Sequence, residues 1–256
     1  MKVRFYPVGT YYQINDYHNC YFLECNDEFE SLPFYAGSVL ALTKTILNKF
    51  SQHVSFNSDI FLNIIHNNSF HCPECFKPLK TVFVCYELPE NYISCLPFYI
   101  YQFSHEFCHY LTNKKVTQNF KWLEEAICHT SSFYMLGYIH SNVFDDLPID
   151  ALKQEILNFL IAQPLSGQAI DLTLLANPNT ELSKNLFSTP TLVYSDNFFA
   201  SQMLPIFAEN PELFKILTKL SGLDDSMTLN QGFNYLFDSL PQSIHPELNK
   251  LKGLFF

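Results

Sequence analysis

The sequence predicts an α+β protein with a small sheet-bearing N-terminal lobe and a helical C-terminal lobe. Three observations predict it. Two short segments rich in β-branched and aromatic residues, 59-DIFLNIIH-66 and 81-TVFVCYEL-88, lie before residue 90. Apolar residues at helical spacing flank them, and from residue 149 onward the pattern is helical nearly throughout. Residues 1–140 read as the α/β lobe and 141–256 as the helical lobe of a single domain, with a cleft between them.

In chain order, 38-SVLALTKTILNKF-50 carries Leu40, Leu42, Ile46 and Leu47 on one side and predicts an amphipathic helix. The two strand segments follow, bounded by Asn, Pro and Ser, and a loop with Pro89 and Asn91 closes the second. A helix is expected from about Pro97 to Leu111, where Pro97 is tolerated because the first turn has no partner for its amide hydrogen. Another runs over 120–138 after the polar stretch 112-TNKKVTQN-119. Helices at 149–162, 195–209, 211–220 and 228–240 complete the chain, with Pro205 expected to kink or split its helix. The Pro- and Gly-containing stretch 164–192 reads as the longest irregular connection and a cleft-lining loop.

Composition narrows the function classes. With 15 Lys and Arg against 25 Asp and Glu, a net charge of -10 disfavours nucleic acid, which needs clustered cations. The amino terminus has Pro7 and Gly9 where a secretion signal needs an unbroken apolar run. Nor does any apolar segment reach the ~18 to 20 residues of a membrane helix. The expectation is a cytoplasmic protein without a membrane partner, its eight cysteines mostly free thiols. In 71-HCPECF-76, Cys72 and Cys75 form half of a zinc-knuckle pattern, but no second CxxC completes it, and a tight turn between strands is the simpler reading.

The chemistry concentrates in 103-FSHEFCHYL-111. On a helix, His105 and His109 share one face and can aim their imidazoles at a single ion. Glu106 lies about 100° round the helix, near enough to take a proton from a metal-bound water without itself binding metal. About one chain in a hundred of this length holds such an HExxH by chance, so the motif needs context. A catalytic zinc takes three protein ligands, and the acids that follow in 122-WLEEAICH-129 are Glu124 and Glu125. One of them is the expected third ligand.

HEFCH followed by WLEEA resembles the gluzincin metallopeptidases, the zincin-like group of thermolysin and the aminopeptidase N type. The match spans roughly residues 80–140, with weaker similarity to 202. It implies one catalytic zinc on His105, His109 and Glu125, with Glu106 as general base and Glu124 at the variable position. It further implies that Tyr194 stabilises the oxyanion, as a tyrosine about sixty to seventy residues past the glutamate ligand does in the family. His129 takes the position of a residue that supports a zinc-bound histidine. In such folds substrate lies along an edge strand, here 81–88. Two departures stand out: Ala126 replaces the usual Gly, and the G-x-M-E-N strand that grips a free amine is missing. The implied activity is zinc-dependent hydrolysis of a peptide or protein, endo- rather than exopeptidase. The alternative is a zinc-binding pseudopeptidase that acts as a regulatory or interaction module.

Overall fold

The computed structural model describes residues 10–13, 20–24, 33–55, 62–66, 74–76, 81–84, 92–112, 114–142, 149–162, 169–189 and 193–256. In chain order the elements are β1 (Thr10–Gln13), β2 (Cys20–Glu24), α1 (Pro33–Ser51), β3 (Leu62–His66), β4 (Glu74–Phe76) and β5 (Thr81–Val84). Helices follow: α2 (Leu96–Leu111), α3 (Lys121–Ser141), α4 (Ile149–Ala162), α5 (Glu181–Ser188), α6 (Val193–Glu209), α7 (Leu229–Ser239) and α8 (His245–Lys252).

The expected α+β fold with a sheet-bearing lobe is corrected to a mainly helical protein. Helices take up most of the described residues, whereas each strand is only three to five residues long. The physical reason lies in aromatics such as Tyr99, Phe103, Phe107, Phe199, Phe207 and Phe233, which sit in segments of helical period and bury by helix packing. The strands pair in the order β1-β2-β3-β5-β4, so β4 lies at the edge and β5 inside. This also corrects the expected edge strand: 81–88 supplies β5, which pairs parallel with β3 and antiparallel with β4.

α2 forms because Leu96, Tyr99, Ile100, Phe103 and Phe107 recur at helical spacing and are all fully buried, with Pro97 in the first turn. Its Tyr99 hydroxyl is hydrogen-bonded to Thr43 of α1. Phe50 of α1 contacts both Phe107 and Phe214, each at 5.5 Å between ring centroids. α3 is buried along most of its length, its polar Glu124, Glu125, Thr130, Ser131 and Ser132 included. Its Trp122 is 5.5 Å from Phe199 of α6 and 5.7 Å from Phe255 between ring centroids, and donates its indole N–H to the Asn119 carbonyl at 3.0 Å.

Two further expectations change. Pro205 does not divide its helix, since α6 continues through it with Met203, Ile206 and Phe207 buried on both sides. The stretch 164–192 is not wholly irregular: a 3-10 turn at Leu172–Ala176 starts on an Asp171 cap, and α5 on a Thr180 cap. No described helix is long and apolar enough to cross a membrane. Cys25, Cys72 and Cys85 lie outside the described residues. Among the described residues, Cys75, Cys95, Cys108 and Cys128 form no disulfide.

Candidate metal centre

α2 and α3 run antiparallel, and polar side chains line the seam between them. Small residues of α3 let the helices approach: Ser131 and Ser132 donate from their hydroxyls to the Ser104 and Tyr101 carbonyls at 3.1 and 2.8 Å. The order of contacts is reversed along the two helices, with Tyr101 near His129, His105 near Glu125, and His109 near Glu124.

His105 Nε2 and His109 Nε2 are 3.2 Å apart. Oε2 of Glu125 lies 3.3 Å from the first and 3.4 Å from the second. Spacing of i and i+4 brings the imidazoles onto one face, and the antiparallel neighbour presents the carboxylate to both. His109 Nδ1 meets Glu124 Oε1 at 3.0 Å, and that same oxygen accepts from the Thr112 hydroxyl at 2.9 Å. Lys121 closes the cluster, with Nζ 2.6 Å from Glu124 Oε2 and 3.0 Å from Glu125 Oε1.

His105, His109 and Cys128 form a group of donors that could hold a metal ion. The Cys128 sulfur stands 3.6 Å from His109 Nδ1, on the side of the ring already engaged by Glu124. Burial raises the Cys128 thiol pKa well above its usual range, which keeps it protonated. Glu125 is the opposite case. Burial disfavours its charge, but hydrogen bonds from both histidines outweigh that and hold it well below the usual carboxylate range.

Burial drives the His105 pKa down to about 3, so this imidazole is neutral and retains a lone pair for a metal. Burial likewise opposes protonation of His109, but its contacts with the Glu124 and Glu125 carboxylates reverse the sign and raise its pKa. Glu106 is buried, and burial pushes its pKa up to about 7 even though it accepts a hydrogen bond from the Cys75 backbone amide. That amide belongs to β4, so the edge strand reaches the general-base candidate.

The structure therefore brings His105, His109 and Glu125 together and sets Glu106 close by. His129 packs against His105 at 4.6 Å between ring centroids, and its Nδ1 is hydrogen-bonded to the Tyr101 hydroxyl. It does not take the expected supporting role through His105 Nδ1, which is buried without a partner. Tyr194 falls in the first turn of α6, and its side chain lies outside the described residues. Three participants escaped the sequence reading: Glu124 as the partner of His109, Lys121 as the partner of both glutamates, and Tyr101 as the partner of His129. The Lys121-x-x-Glu124-Glu125 spacing was the available signal for the first two. Comparison with protein-family models, curated proteins and solved structures finds no match for this chain.

Proposed function

We propose that this protein is a zinc-dependent amide hydrolase acting on a peptide or protein, with His105, His109 and Glu125 as ligands and Glu106 as general base. One observation carries the reading: the three donor atoms are 3.2, 3.3 and 3.4 Å apart. A tetrahedral ion with ligands at about 2.05 Å has vertices about 3.3 Å apart, so the triangle has the size of one face of such a site. Two imidazoles and a carboxylate are a donor set that zinc accepts, and three protein ligands leave its fourth position open. The protonated Cys128 and the engaged Nδ1 of His109 favour Glu125 over the thiol as third ligand.

A zinc ion held there supplies Lewis acidity, polarising a water and a substrate carbonyl. The chain's own residues supply the rest. Glu106, with a pKa near 7, is suited to accept a proton from the attacking water and return it to the leaving amine at neutral pH. Glu124 holds His109 through Nδ1, which fixes the tautomer that offers Nε2. β4 lies at the edge of the sheet, and its Cys75 amide donates to Glu106, so an extended substrate laid along this strand would run beside the site.

The test compares cleavage of cellular proteins by the full chain and by Glu106→Gln, with metal content measured in both. Hydrolysis through this site predicts that the variant retains its metal and loses at least ~100-fold in rate. Identical fragment patterns from the two proteins would rule out Glu106 catalysis and favour the metal-binding regulatory reading.

A further inference from the structure

Glu125 divides its carboxylate between two kinds of partner. Oε2 faces the two histidine nitrogens, while Oε1 faces the Lys121 ammonium at 3.0 Å. The ammonium is itself anchored, since Glu124 Oε2 holds it at 2.6 Å and Glu124 is wholly buried. Swinging Lys121 away would strip two adjacent buried carboxylates of the ammonium they share, which is unfavourable. Spacings of i,i+3 and i,i+4 on α3 put all three groups on one helix face, so the arrangement is fixed locally.

Resting on the metal site proposed above, we infer that Lys121 is a positioning residue that sets how Glu125 binds the metal. By occupying Oε1 it confines ligation to Oε2, and the position a chelating carboxylate would fill stays free for water. The same ammonium balances charge. Two carboxylates against one ammonium leave one negative charge, a divalent ion makes the cluster singly positive, and ionised Glu106 brings it to neutrality. A cluster without Lys121 would favour a second Glu125 oxygen on the ion, giving a more crowded site.

Cobalt(II) reports this directly, because its visible bands are intense when four-coordinate and weaker when five-coordinate. The full chain is loaded with one equivalent of cobalt and compared with Lys121→Met and Lys121→Arg. Wild type and Lys121→Arg are expected to give the intense spectrum, and Lys121→Met bands weaker by roughly twofold or more. Should Lys121→Met be insoluble, Lys121→Gln removes the charge with less change in shape and makes the same prediction. A merely structural lysine would weaken cobalt binding without changing band intensity per bound ion, and that result overturns the inference while leaving the metal site intact. Failure of wild type to bind cobalt, or a spectrum unchanged by His109→Ala, overturns the metal site and the lysine's role together.

Discussion

Glu124 and His109 meet at 3.0 Å, through Oε1 and Nδ1, with the carboxylate wholly shielded from solvent. The contact fixes the far nitrogen of a histidine whose near nitrogen faces His105 and Glu125. Replacing Glu124 with Gln keeps an acceptor but removes the charge that supports the ring and pairs with Lys121. Zinc affinity should fall about 10- to 100-fold, as measured by competition against a chromophoric chelator. An unchanged affinity would mean that the contact does not orient a ligand.

Cys128 and Glu125 make opposing predictions as third ligand. Cys128→Ser should leave zinc affinity within about threefold, because the thiol is protonated and faces the occupied side of His109. Glu125→Gln should abolish tight binding, since a neutral amide is a poor zinc donor. Isothermal titration of both metal-free variants separates the two sets, and the reverse ranking would assign the ion to the sulfur.

Glu106 should make stability depend on pH. Burial raises its folded pKa from 4.5 to about 7, so between these values the folded chain holds a proton that the unfolded chain has lost. Stability of the metal-free protein therefore falls as pH rises through that window and levels off above it. Glu106→Gln removes this loss and should stabilise the chain at pH 8 by at most about 3 kcal/mol, with no gain at pH 4. Urea unfolding at the two pH values checks the sign, and a gain at pH 4 alone would contradict it.

Tyr101 and His129 form a hydrogen-bonded pair one turn along the seam from His105 and Glu125. Tyr101→Phe removes the hydroxyl from a partly buried ring nitrogen and should cost about 1 kcal/mol of stability. Thermal unfolding measures the loss. Zinc affinity should change little, because the hydroxyl removed is bonded to His129 and acts on His105 only through that ring.

The helical framework and the meeting of His105, His109 and Glu125 were largely legible in the sequence. His105 and His109 declare a shared helix face by spacing alone, and the buried stripe of Leu96, Tyr99, Ile100, Phe103 and Phe107 has a clear helical period. The balance of helix and strand was not legible, because segments such as Thr10–Gln13 and Glu74–Phe76 are too short to carry a period and depend on pairing for their conformation. Cys75 illustrates this: CPEC reads as a turn or a metal knuckle until β5 pairs with it. Likewise, a glutamate next to a lysine on a helix looks like a solvated charge pair, and only enclosure by α2 turns Glu124 into a buried support for His109.

Two imidazoles and one carboxylate between α2 and α3 are proposed to hold a single ion. Elemental analysis of the purified full chain, beside His109→Ala and Glu125→Gln, tests it most directly. About one zinc per wild-type chain is expected, and its loss from both variants. A wild-type chain free of zinc after reconstitution, or one equivalent that survives both substitutions, would contradict it.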